Sequence, residues 1–242
     1  MSAVDIARLR TAFPDRRIDY YASIDSTMRP AAGLPIGSVV LAGEQTAGQG
    51  RLGRAWHSQA GDGIYCSLVL RPTPVLTLAL GLAVQSAILE ATGLHCDIRW
   101  PNDLLLSGKK VAGILVQSSE RAAVGGIGIN VNQTEFPAEL AGLATSLAME
   151  AGEHAARVDA TAILLALLPA VETFTAHSKD EILHLFAQAS SYARGRRVRV
   201  EQAEGTVEGT TAGMDPSGFL IVRKDDGTDT LILAGGVRAS GS

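Results

Sequence analysis

The sequence predicts an α+β protein in which a mixed β-sheet covered by helices, residues 1–192, is followed by a small β-barrel, residues 193–242. Three observations predict it. Short apolar runs recur between glycines and turns as far as residue 132, long helical stretches are interleaved with them and follow them, and after residue 193 short alternating strands take over. The chain has 242 residues, 46% of them hydrophobic, which is enough to build a sizeable core.

The runs "RIDYYAS" (17–23), "SVVLAGEQ" (38–45), "IYCSLVLRP" (64–72), "CDIRW" (96–100), "KVAGILVQSS" (110–119) and "VGGIGINVN" (124–132) read as strands. In "DLLLSGKKV" the turn residues Ser107 and Gly108 fold 103–106 back on 110–117 as a hairpin. Helices are expected over 75–92, near 158–176 and over 179–192. A hairpin among strands and helices makes the sheet mixed rather than wholly parallel. Beyond residue 193, Val198-Arg199-Val200 and Phe219 to Val222 alternate between turns at "DPSG" and "DDG", the texture of about five short strands.

Charge and composition exclude several function classes. A formal net charge of -4 means that any anion site is local, so general DNA or RNA binding is not expected. The N-terminus mixes acids and bases without an apolar stretch, and the most apolar windows, 75–93 and 160–174, are interrupted by Gln85 and Glu90 or by Pro169 and Glu172. Neither a signal peptide nor a membrane span is expected, and the chain is placed in the cytoplasm. Cys66 and Cys96 fit no metal spacing and read as reduced core thiols.

Three segments carry chemistry. In "AGQGRLGRAWHS" (47–58), Gly48, Gly50 and Gly53 let backbone amides approach an anion, and Arg51 and Arg54 offer forked donors suited to phosphate. Neither a Walker spacing nor a dinucleotide fingerprint is present. In "RWPNDLLLSGKKVAGILVQ" (99–117), the hairpin can bring Asp103 to Lys110. The glycines of "GIGINVN" (126–132) permit close approach of a ligand, or equally of packing under a helix.

Taken in order, Ser26-Thr27 after a strand, "EQTAGQGRLGRAW", "RWPNDLLL…KKVAGIL", "GIGINVN" and "ATSL" (144–147) resemble biotin protein ligase, and the resemblance covers nearly the whole chain. It implies a class II synthetase-like catalytic domain with a small C-terminal barrel. It also implies two steps: biotin and ATP, with magnesium, give biotinyl-5′-AMP, and biotin then passes to a lysine of a biotin carboxyl carrier protein. Residue by residue, Ser26, Thr27 and Gln45 match positions that hydrogen-bond the ureido ring, with Met28, Gln49, Gly50, Gly113 and Leu115 also in the biotin pocket. Lys110 matches the lysine bridging the biotin carboxylate and the phosphate, Arg51 a catalytic cation of the closing loop, and Asp103 an acid implicated in both steps. Arg54, Trp56, Asn102, Asn130 and Asn132 match the ATP and adenylate end, shared with Arg51 and Lys110; no metal ligand is assigned.

Four positions depart from the family pattern: Met28 for asparagine, Gln49 for the first arginine of the loop, Arg99 for lysine and Gln117 for glutamate. Two other readings stay open, a lipoate or octanoate ligase or transferase of related fold and a catalytically weakened biotin binder. The resemblance leaves room for a homodimer. Only about 20 residues precede the first strand, so the DNA-binding domain of the bifunctional members, and with it binding to DNA, is not expected.

Overall fold

The computed structural model describes residues 4–152, 157–202 and 205–240. Helix α1 (Ile6–Ala12) starts at Asp5, whose carboxylate caps the Arg8 amide, and leads into β1 (Ile18–Tyr21). A short helix α2 (Met28–Ala31) precedes β2 (Val39–Ala42) and β3 (Gly63–Leu70). Helix α3 (Leu76–Thr92) stops at Gly93, which takes the left-handed conformation, φ 73°, that suits glycine at a helix end.

Strands β4 (Asp97–Arg99), β5 (Asp103–Leu106), β6 (Lys109–Ser118) and β7 (Ala123–Asn130) follow. At the β5–β6 turn Ser107 and Gly108 both have positive φ, 49° and 77°, as a two-residue hairpin of the favoured twist requires. The sheet order is β1-β2-β3-β7-β6-β5-β4, with β1 parallel to β2 and every other pair antiparallel, so the sheet is mixed as expected. Helices α4 (Leu147–Ala151), α5 (Ala160–Ala176) and α6 (Lys179–Ala189) complete this part, α6 opening on a capping box between Ser178 and Glu181.

Strand period fixes which face does what. Ile64, Cys66, Leu68, Ala112, Ile114, Ile127 and Ile129 point to one side and form the main core with α3 and α5. Their sequence neighbours point to the other side, where Met28 and Ala31 of α2 pack on Val40, Val69 and Val124. Cys66 and Cys96 are free and buried, and burial pushes both thiols up to about 12, which suits the inert core role.

Five strands after residue 193, β8 (Arg194–Gln202), β9 (Gly205–Met214), β10 (Leu220–Arg223), β11 (Asp229–Ile232) and β12 (Gly236–Ala239), form an antiparallel sheet in the order β11-β10-β9-β8-β12. Its apolar face, Val198, Val200, Leu220, Val222, Ile232 and Val237, closes on Val75, Leu78, Leu82, Ile182 and Phe186. Helix α3 is therefore apolar nearly all round because it is sandwiched, one side against the large sheet and α5, the other against α6 and the small sheet. Among the described residues no helix is long and apolar enough to cross a membrane.

Gly81 lies inside α3, and a methyl group there would meet Ile98, Phe186 and Ile114 at 3.7–3.9 Å, ordinary contact distances. Gly81→Ala should raise the unfolding free energy by about 0.5–1 kcal/mol by removing helix-interior glycine entropy. Thermal denaturation reads it directly, and a lowered midpoint would show that the site is tighter than its distances indicate.

Candidate active site

The polar floor of the site arises where two strands end side by side. Backbone pairing continues beyond β1 and β2 to an Ile24–Gln45 bridge, which sets Ser26 and Thr27 beside Gln45. Gln45 Oε1 accepts from the Thr27 amide at 2.9 Å and its hydroxyl at 3.1 Å, and Gln45 Nε2 donates to Ser58 at 3.2 Å. Thr27 also shares a 2.8 Å hydrogen bond with Ser67, a fully buried serine on β3 that sequence reasoning missed.

Above the floor, residues 48–56 fold as a small hairpin. Trp56 N donates to Gly48 O at 2.9 Å, Gly50 N to Arg54 O at 2.7 Å, and Gln49 bridges Ala55. A side chain at Gly48 would stand 2.7 Å from the Trp56 carbonyl, so this turn of chain needs glycine. The tip carries Leu52 and Gly53 at positive φ, 57° and 71°, and Leu52 is exposed.

The opposite wall is the β5–β6 hairpin. Lys110 Nζ lies 2.5 Å from Asp103 Oδ1, and Arg99 donates to Asp103 Oδ2 at 2.7 Å. Burial pushes the Asp103 carboxyl up, but the two cations and their hydrogen bonds outweigh it and hold it below the usual carboxylate range. Asn102 accepts from Arg51 Nη1 at 3.0 Å and donates to the Ile114 carbonyl at 3.0 Å, tethering the loop to the sheet. Burial lowers the Arg51 guanidinium from its ordinary value, Asp103 opposes this and Arg54 adds to it. The "ATSL" segment runs beside Lys110, whose N–H donates to the Leu143 carbonyl and whose carbonyl accepts from the Thr145 amide, both at 2.9 Å.

These parts enclose two adjoining cavities. The inner one is lined by Ser26, Thr27, Met28, Gln45, Gln49, Gly113, Leu115, Gly126 and Gly128 among others. The outer one, about 320 Å³, lies between the loop, the hairpin, residues 136–144 and the β12 end of the small sheet. Gly50, Arg51, Trp56, Asn102 and Lys110 line both, so they stand at the junction.

Nearly all the residues predicted from sequence meet here. Arg54 and Asn130 line the outer cavity, and Asn130 also donates to the Thr145 carbonyl. Asn132 does not reach either cavity; its side chain is spent on both backbone groups of Val158, anchoring the chain ahead of α5. Of the family departures, Met28 and Gln49 line the inner cavity and Arg99 the outer, whereas Gln117 is exposed and lines neither. The sequence reading missed Phe136, Leu140 and Leu143 and the Gly235–Arg238 segment, all on the outer cavity. Among the described residues the only carboxylate lining it is Asp103, and no cluster of three or more metal-ligating side chains exists among them.

The model of the Biotin/lipoate A/B protein ligase family matches residues 20–133, and that of the Biotin protein ligase C terminal domain matches residues 194–237. The chain is 39% identical to the bifunctional ligase/repressor BirA of Bacillus subtilis, over 93% of this chain and 75% of that protein. It is 35% identical to the biotin–[acetyl-CoA-carboxylase] ligase of Mycobacterium tuberculosis, over 91% and 88%. The structure of the biotin protein ligase of Aquifex aeolicus in complex with biotin and ATP superposes with a TM-score of 0.80 at 32% identity, covering 93% of this chain and 99% of that one.

Asp103→Asn keeps the shape of the ion-pair centre and removes its charge, leaving two half-buried cations without a counter-ion. At pH 7 the variant should be less stable by about 1–3 kcal/mol. Because the Asp103 pKa is depressed on folding, its contribution is present above the ordinary carboxylate range and is lost as pH falls through the folded value. The gap between wild type and variant in urea denaturation should therefore shrink at about pH 3. A gap of the same size at both pH values would place its origin outside the carboxylate charge.

Proposed function

We infer the function from a premise of kinship: the chain belongs to the biotin protein ligase family, and it activates biotin with ATP to biotinyl-5′-AMP and transfers the biotinyl group to a protein lysine. The observation that carries the assignment of roles is the junction. Two cavities meet at two cations, Arg51 and Lys110, where a carboxylate from one side and a phosphate from the other would both be neutralised.

The inner cavity suits the biotin head. Gln45 gives one Nε2 hydrogen to Ser58, which leaves the other for a ureido oxygen, while the Ser26 and Thr27 hydroxyls, on the same cavity, would accept from the ring N–H groups. An analogue without these polar atoms would leave the floor unpaired, which is a source of selectivity. The outer cavity takes MgATP. With one carboxylate on its wall, already engaged by two cations, the magnesium travels on the nucleotide phosphates as part of the substrate.

In the first step a biotin carboxylate oxygen bonds to the α-phosphorus as the bond to pyrophosphate breaks; in the second the acceptor amine bonds to the acyl carbon and AMP leaves. Charge builds on the phosphate in the first, where Arg51 and Lys110 stand at the junction and Arg54 lines the outer cavity beside it. Asp103 acts through Lys110, fixing the ammonium between the cavities, and Asn102 does the same for Arg51. The biotin–[acetyl-CoA-carboxylase] ligase relatives make the carrier domain of that carboxylase the acceptor we propose.

The purified protein should catalyse biotin-dependent ATP–pyrophosphate exchange and label a biotin carrier domain, and Lys110→Ala should lower exchange at least about a hundredfold without unfolding the protein. Exchange with lipoate or octanoate but not biotin would move the assignment to that branch of the fold, and near-normal exchange in a folded Lys110→Ala variant would remove Lys110 from the chemistry.

Gln49, which lines the inner cavity beside Arg51, leaves the loop one cation short of the family pattern. Gln49→Arg should slow dissociation of preformed biotinyl-5′-AMP by about tenfold to a hundredfold if the added charge reaches the phosphate. Dissociation measured at two salt concentrations tests it; an unchanged or faster rate would show that Arg51, Arg54 and Lys110 already neutralise the anion.

A further inference from the structure

The inner cavity is small beside the outer one, about 40 Å³ against about 320 Å³. Widening it for a bicyclic ligand with an acid tail falls to whichever lining side chain is able to leave. The geometry identifies that side chain. Gly113 and Gly128 are directly paired across β6 and β7, and neither carries a Cβ, so the pair forms a bare patch on the site face of the sheet. The Trp56 indole lies on this patch: a Cβ at Gly128 would be 2.4 Å from Trp56 Cε2, and one at Gly113 would be 2.9 Å from Trp56 Cζ3.

The indole is held there by apolar contact and by the Lys110 ammonium 5.2 Å from its ring centroid. It is held imperfectly, because its Nε1–H is buried with no hydrogen-bond partner among the described residues. Trp100, the only other tryptophan, is buried and donates its Nε1–H to the Gly218 carbonyl at 2.9 Å. Trp56 also hangs from the glycine-rich hairpin 48–56 and lines the outer cavity, so it has somewhere to go.

We propose that Trp56 occupies the biotin slot of the empty enzyme and is an internal competitor that biotin must displace, which makes it a determinant of biotin affinity and of which ligands gain entry. The proposal rests on the reading of the inner cavity as the biotin site. Apparent affinity is the intrinsic affinity scaled by the fraction of molecules whose indole is out of the slot. Ligands unable to repay the lost indole–glycine and indole–lysine contacts stay outside. The same displacement sends the indole toward the outer cavity, so filling the first cavity reshapes the second.

The experiment uses the full chain labelled with 5-fluorotryptophan, which gives two fluorine resonances, assigned with Trp56→Phe, together with calorimetric titration of biotin. Saturating biotin should move the Trp56 resonance and leave that of Trp100 in place, and Trp56→Ala should bind biotin about tenfold more tightly than wild type. Biotin binding seen by calorimetry with an unmoved Trp56 resonance, or with equal or weaker affinity in Trp56→Ala, would overturn the proposal alone. No biotin binding to the folded wild type would overturn the biotin-site reading, and the proposal with it.

Discussion

Alternate residues of β6 and β7 seal a helical core, and three glycines between them leave room on the other face for a site. That alternation governs the rest of the architecture. Ala112, Ile114, Ile127 and Ile129 fill the space under α3 and α5, and their neighbours Gly113, Gly126 and Gly128 keep the other face bare. A slip of one residue in register would put isoleucines into the site and glycines into the core. The pocket and the core are thus two readings of one strand pairing, and neither can be altered alone.

The second organising element is charge held at the border between the two cavities. Asp103 sits between Arg99 and Lys110, and this arrangement keeps two cations close together in a half-buried wall without mutual repulsion driving them apart. Arg51 comes to the same border from the loop and is steadied by Asn102. Lys110 and Arg51 are thus each held by a neighbour, Asp103 and Asn102, so the protein's own contacts fix where the two charges stand.

The fold was legible wherever local pattern decides. The strands, the Ser107-Gly108 hairpin and the three long helices follow from periodicity and turn chemistry, whereas α1 and α2 are too short to show it, and Pro30 inside α2 reads as a breaker. The clustering of side chains around the candidate site was legible where ordered motifs carry it, as for Ser26, Thr27, Gln45, Arg51, Asp103 and Lys110. It was hidden where three-dimensional pairing decides. Asn132 reads like Asn130, two residues earlier, yet one turns to Val158 and the other to the cavity. Ser67 is an ordinary strand serine until Thr27 is brought against it, and Gly235 to Arg238 join the site only because a second sheet folds onto α3.

That second sheet has a practical consequence for anyone shortening the chain. Val75, Leu78, Leu82, Ile182 and Phe186 share one apolar cluster with the strands after residue 193, and removing those strands would open part of it to water as a greasy surface. Ending the polypeptide there would not yield a smaller soluble enzyme; it would yield material prone to self-association, with one wall of the outer cavity gone.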